Sequence, residues 1–200
     1  MISPPSANFF WFFASLFHIT QTYAPMRIPA YFPLLTILLV VSCKKKEDNR
    51  PGFDMQYQTQ FDIPAGLGPF VVHHFYLKNI STRFEQLLAQ NGKSKEEIGG
   101  ILTSQANLSG IFGDADFEFI EQISVKVYNE SDPNGAIEVA YRFPVPLDPG
   151  NNLPLIPSLA DAIDILEEPR FSIDVALWLR KTTQLETSVR LDLQFKAIYK

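Results

Sequence analysis

From Phe53 onward the dominant period of the chain is two. Phe53, Met55, Tyr57, Thr59, Phe61 and Ile63 alternate with Asp54, Gln56, Gln58, Gln60 and Asp62. Successive side chains of a strand point to opposite faces, so this spacing predicts a strand with one buried and one wet face. Pro64-Ala65-Gly66 ends it, and Phe70 to Asn79 reads as a second strand. Ile123, Val125 and Val127 form the inner face of another, with Ile137, Val139, Tyr141 and Phe143 expected to face the core beside it. Between these two strands, Ser131-Asp132-Pro133-Asn134-Gly135 has the composition of a hairpin turn. Two further alternating runs close the chain. One is Phe171, Ile173, Val175, Leu177 and Leu179, and the other is Val189, Leu191, Leu193, Phe195 and Ala197. Thr182-Thr183-Gln184 is the expected turn between them.

Short helices are predicted in the connections. Ser94-Lys95-Glu96-Glu97 fits a capping box, with Ile98, Ile101 and Leu102 as the apolar stripe that follows. Thr82-Arg83-Phe84-Glu85 fits the same pattern. Asp114 to Gln122 is a third candidate, with Phe117 and Ile120 inward. A fourth runs from a Ser158 cap to Glu167, burying Leu159, Ala162, Ile163 and Leu166, and Pro169 stops it. The prolines at 144, 146, 154 and 157, with Asp148-Pro149-Gly150-Asn151-Asn152, read as a long loop. The resulting fold class is mainly β: an antiparallel β-sandwich with two or three short helices in the connections, the alternative being an open sheet wrapped around helices. Residues 53–200 suffice for one core without a disulfide.

The first fifty residues follow different rules. Met26-Arg27 precedes the apolar run Ile28–Val41, which ends at Ser42-Cys43 and the charged segment Lys44-Lys45-Lys46-Glu47-Asp48. A positive start, a short apolar core and a small residue before the cut are the marks of a secretory signal. The run is too short to span a bilayer, and it contains two prolines. Val40-Val41-Ser42-Cys43 resembles a lipobox, the site where signal peptidase II cuts before a lipid-modified cysteine. The Lys-Lys-Lys-Glu-Asp run is similar to the charged segment that follows the cysteine in lipoproteins of the Bacteroidota type. The resemblance implies lipidation of Cys43, a membrane partner through that lipid, and a cell-envelope location, anchored at the outer membrane with surface exposure as an option. It covers residues 26–48 and implies nothing about activity. The expected organisation is therefore an upstream extension over 1–25 with translation starting at Met26, a signal peptide over 26–42, a lipidated flexible tether over 43–52 and a single β-rich domain over 53–200.

Charge and chemistry narrow the function. The chain carries 17 Lys+Arg against 22 Asp+Glu, a net charge of −5. All the acids and all but one of these bases (Arg27) lie after residue 42, so a nucleic-acid partner, which wants a basic patch, is not expected. The domain's two histidines, His73 and His74, are adjacent and should point to opposite faces of a strand, unable to share a metal. Asp114, Asp116 and Glu118 alternate; they suit a helix N-terminus better than a calcium loop. Gly99-Gly100 lacks the Lys-Ser/Thr of a phosphate-binding loop, and no Gly-x-Ser-x-Gly occurs. With many acids and no motif, no catalytic carboxylate pair can be chosen. Trp178 lies on the face opposite Leu177 and Leu179; Ala176 beside it argues that this face is covered and that Trp178 is structural rather than a ligand platform. No catalytic residue, metal ligand or cofactor is assigned; the one site residue is Cys43. The expectation is a non-enzymatic envelope lipoprotein that binds or assembles. The partner is a protein, a glycan or a hydrophobic ligand, and the alternatives are a lipid carrier or a hydrolase with unrecognised carboxylates.

Overall fold

The computed structural model describes residues 50–113 and 115–200. The apolar run, the lipobox and Cys43 lie outside the described residues. The described chain forms two antiparallel sheets packed face to face, the sandwich that the alternating pattern predicts.

The nine strands are β1 (Gly52–Ile63), β2 (His73–Ser81), β3 (Ile98–Gly110), β4 (Ile120–Asn129), β5 (Asp132–Arg142), β6 (Asn152–Pro154), β7 (Ile156–Pro157), β8 (Arg170–Leu179) and β9 (Thr187–Tyr199). The first sheet has the order β1-β9-β3-β6 and the second β2-β8-β4-β5-β7. Two helices sit in connections: α1 (Phe84–Gln90) and α2 (Ile163–Leu166). Single 3-10 turns cover Lys95–Glu97 and Phe117–Phe119.

The core is built from the inward set of each strand. Met55, Ile63, Val189, Leu191, Phe195 and Ala197 from the first sheet meet Ile123, Val125, Val127, Phe171, Ile173, Val175 and Leu177 from the second, all fully buried or nearly so. Tyr57 links the layers. Its ring is edge-on to Phe171 of the facing sheet at 4.9 Å and to Phe195 of its own sheet at 5.9 Å. Its hydroxyl donates to the Thr82 carbonyl at 2.8 Å. Thr82 in turn ties two connections together, its hydroxyl donating to the Glu168 carbonyl at 2.6 Å and its N–H to Pro169.

Several expectations need correction, and most share one cause. Ile98, Ile101 and Leu102 open the 13-residue strand β3, not a helix. Its pairing with β9 shifts between Ile98 and Gly100 and again between Thr103 and Gln105. Each shift is a bulge that inserts one unpaired residue and reverses which residues face in. The resulting spacing of buried positions (98, 100, 101, 103, 106, 108) imitates a helical stripe. The capping box does form, with Ser94 N–H donating to Glu97 Oε2 at 2.9 Å, but it caps a single turn. Gly100 has a packing reason: an added Cβ would lie 2.7 Å from the Asp161 carboxylate, which accepts from the Ile101 N–H at 2.8 Å and the Ile163 N–H at 3.0 Å.

Of the helix expected over Asp114 to Gln122, Asp114 lies outside the described residues, and residues 115–122 form one 3-10 turn running into β4, although Phe117 and Ile120 are inward as expected. The helix expected from Ser158 shrinks to four residues; Ala162 and Leu166 are buried but Leu159 is exposed. On β5, Ala140 pairs with Val125 but Glu138 pairs with Lys126. That bulge carries both Val139 and Ala140 into the core and leaves Tyr141 and Phe143 exposed. The hairpin turns at Glu130-Ser131, and Asp132–Gly135 form a wide bulge beyond it, where Asp132 accepts from the Gly135 N–H. The proline-rich stretch is not all loop, since β6 and β7 lie in it. Arg83, in left-handed conformation at φ 53°, precedes α1 in place of the expected Thr82 capping box.

Phe195 tests the packing. Fully buried and in ring contact with Tyr57, it should cost about 3–5 kcal/mol when changed to Ala. Denaturant unfolding checks this, and a midpoint shift equivalent to a surface substitution would show that the two layers do not pack as described.

Candidate functional site

The residues singled out from sequence do not come together. His73 and His74 point to opposite sides of β2, as alternation requires. His73 Nε2 donates to the Gly68 carbonyl at 2.7 Å, while His74 Nδ1 donates to Asp174 at 2.9 Å and its ring stacks on Tyr76. The His74–Asp174 pair is an open surface contact and contributes little to stability. Asp116 caps the 3-10 turn by accepting from the Glu118 N–H, and Glu118 is ion-paired with Lys181. Among the described residues no group of three or more His, Cys, Asp and Glu is arranged to hold a metal. Trp178 is half-buried on the outer face of the second sheet, paired across to Gln122 beside the buried Ala176, so that face is partly covered there.

What sequence reading did not single out is the outer face of the first sheet. Register sets it. Gln56 of β1, Gln194 of β9 and Gln105 of β3 stand side by side across three strands. The next row is Gln58, Asp192 and Asn107. These six side chains, with Arg83, line a groove of about 580 Å³ whose floor is Tyr57 and Ala106. Adjacent rows on one face are two residues apart, roughly 6–7 Å along the strand, and strands are about 4.8 Å apart. The result is a regular grid of polar groups.

The second row is internally bonded. Gln58 Nε2 donates to Asp192 at 2.7 Å, Arg190 Nε donates to the same carboxylate at 3.1 Å, and Asn107 donates to Asn152 on β6 at 2.7 Å. In the first row the amides of Gln56, Gln105 and Gln194 have no hydrogen-bonding partner among the described residues, so each retains a donor and an acceptor facing solvent. Two departures from local rules border this row. The second β3 bulge turns both Ser104 and Gln105 outward, and the Ser104 hydroxyl donates to the Gln194 carbonyl at 3.1 Å. Arg83 takes its left-handed conformation at the rim and donates to the Gln56 carbonyl at 3.0 Å. Bulges and strained residues gather at functional sites because they aim side chains that regular structure would not. The alternating Gln56, Gln58 and Gln60 of β1 and Asp192 and Gln194 of β9 were visible in sequence as the wet faces of two strands; Gln105 and Asn107 on β3, and the rows across the three strands, were not, because the β3 bulges hide the register.

No family model matches the chain, and no curated protein matches it. Among solved structures, a chain of Desmodium yellow mottle tymovirus aligns at 10% identity, over 75% of this chain and 90% of that one, with a TM-score of 0.21. A likeness at that level carries no argument about this protein's fold or function.

A second surface stands apart from the groove. At the end of the sandwich where β1, β3, β5 and β8 finish, four loops expose Phe70, Val71, Ile111, Phe112, Phe143, Leu147 and Leu185. Phe112 and Leu185 line a depression of about 260 Å³ with Asp116, Glu118 and Glu186. The chain enters the sandwich at Gly52, at the opposite end, where Gly52 pairs with Ile198.

Beneath the groove, burial holds the Tyr57 phenol well above its ordinary range, against a smaller opposing pull from Arg83. Folding therefore favours the protonated ring. Its contribution is fully present below the unfolded value near pH 10 and is lost as pH rises toward the folded value. Tyr57→Phe should cost about 0.5–1.5 kcal/mol at neutral pH through the lost bond to Thr82 and should flatten the alkaline fall in stability. Urea midpoints of both proteins at pH 7 and pH 11 check this; parallel losses in the two would show that another group titrates.

Proposed function

We propose that this chain is a membrane-anchored envelope lipoprotein with a non-enzymatic binding or assembly role, held by lipid on Cys43 and placed at the outer membrane. The tether reading rests on the lipobox-like Val40-Val41-Ser42-Cys43 after an apolar run. The binding reading rests on one observation: the space between the sheets is filled by side chains, whereas the outer face of the first sheet carries an open groove lined by unpartnered amides.

That contrast also ranks the alternatives. A carrier of lipid or another hydrophobic ligand needs a hollow apolar interior, and here Met55, Phe171, Ile173 and Phe195 occupy it. A hydrolase needs carboxylates free to act. Asp192 in the groove is bonded to Gln58 and Arg190; in the end depression Glu118 is paired with Lys181 and Asp116 accepts from the Glu118 N–H, which leaves Glu186 as a single carboxylate and not a pair.

The tether has a direct test. Cys43→Ala in the producing cell should abolish incorporation of radiolabelled palmitate and leave the signal peptide uncut. Labelling that persists in the variant would overturn the lipoprotein reading.

A further inference from the structure

We infer that the amide-lined groove on the outer face of the first sheet is a binding site for a neutral polysaccharide. This deepens the binding role proposed above by naming the site and the ligand class.

Asn and Asp are depleted in strands, yet Asn107 and Asp192 stand opposite one another on β3 and β9, each bonded to the strand on its other side. Here Gln56, Gln194 and Gln105 form one row and Gln58, Asp192 and Asn107 the next, all on one face and lining one groove.

The chemistry of the row then selects the ligand. A side-chain amide presents a donor and an acceptor a fixed distance apart, and so does a pair of neighbouring sugar hydroxyls. Three unpartnered amides in a line offer this pairing repeatedly, which suits a chain of repeating sugar units lying across β1, β9 and β3. Formal charge in the groove is confined to Asp192 and Arg83. Asp192 is bonded to Gln58 and Arg190, and Arg83 is bonded to the Gln56 carbonyl. An anionic polymer finds no cluster of cations here. A peptide finds no apolar pocket for a side chain in the groove, and on the edge strand β1 the Gln56 carbonyl is already taken by Arg83.

The bulge at Ser104 supports the same reading. It is what brings Gln105 level with Gln194, because unbroken pairing from Thr103 and Phe195 would set Ser104 opposite Gln194 and turn Gln105 inward. The bulge that keeps Ala106 and Leu108 inward also completes the row.

Native gel electrophoresis of the full chain in detergent tests the inference. Gels contain one of four neutral polysaccharides (mixed-linkage β-glucan, xyloglucan, galactomannan or dextran) or one of two acidic ones, polygalacturonate and alginate. The wild-type protein should be retarded by at least one neutral polymer, with retardation unchanged at 0.5 M NaCl. Gln105→Ala and Gln194→Ala should each weaken that binding about tenfold, the effect of one lost hydrogen bond of ordinary strength. Gln105 is exposed and Gln194 half-buried, both on the outer face and outside the core, so the thermal midpoint should stay close to wild type. Retardation by none of the neutral polymers, by the acidic polymers only, or equally in wild type and both variants would overturn the inference. Palmitate labelling of the same preparations separates this from the tether. Labelled protein that no neutral polymer retards fails on the groove alone, whereas unlabelled protein that one does retard fails on the tether alone.

Discussion

Tyr57 is the point on which the rest of the arrangement depends. Its ring touches Phe171 across the sandwich and Phe195 beside it, so one side chain keys the two layers together. Its hydroxyl reaches the Thr82 carbonyl, and Thr82 holds the connection into α1 against the connection into β8. The same residue is part of the groove floor, between Gln56 and Gln58 on β1. Inward and outward neighbours on a strand are inseparable, because alternation ties the position of each to the other. Fixing Tyr57 in the core therefore fixes the rank of amides above it. A shift of β1 by one residue would bury Gln56 and Gln58 and expose Tyr57, which is why the polar grid can be regular without interactions of its own along the first row.

β9 extends this constraint to three strands. Val189, Leu191, Leu193, Phe195 and Ala197 are all buried, and the strand is paired along its length with β1 on one side and β3 on the other. Its outward set, Arg190, Asp192, Gln194 and Lys196, is thus forced into the middle of the outer face. The two β3 bulges answer a conflict in this arrangement. Two inserted residues, absorbed near Gly99 and Ser104, let a 13-residue strand keep its apolar positions inward against β9 while presenting Gln105 and Asn107 outward.

Those bulges also mark the limit of what the sequence discloses. β1, β8 and β9 are legible because each carries its inward residues at every second position and has no bulge of its own, and the sandwich follows from them. β3 is not legible: Ile98, Ile101 and Leu102 sit at helical spacing only because a bulge intervenes, and the capping box at Ser94 reinforces the wrong reading. The bulge on β5 misleads in the same way, sending Tyr141 outward where simple alternation would have buried it. The groove lay beyond sequence for a related reason. Gln56, Gln58 and Gln194 are visible as outward positions and Gln105 is not, and cross-strand rows exist only in the register, which is what a bulge rewrites. His73 and His74 are the contrary case: adjacency on one strand was enough to place them on opposite faces.

The proposed tether gives the position of the groove a consequence. Cys43 and Gly52 are joined by a segment whose fully extended reach is roughly 30 Å. β1, with 12 residues, is about 40 Å long. With Cys43 as the anchor, the apolar loops around Phe112 and Leu185 stand at the far end of β1 from the point of attachment. To meet the anchoring membrane end-on, the domain would have to invert and hold Gly52 farther from the surface than the tether extends. The groove lies instead on the flank, along β1, β9 and β3, and stays open to solvent whether the domain stands upright or leans on its other sheet. A long polymer running across the flank needs no end-on approach, so the lateral site and the terminal tether are compatible by geometry alone.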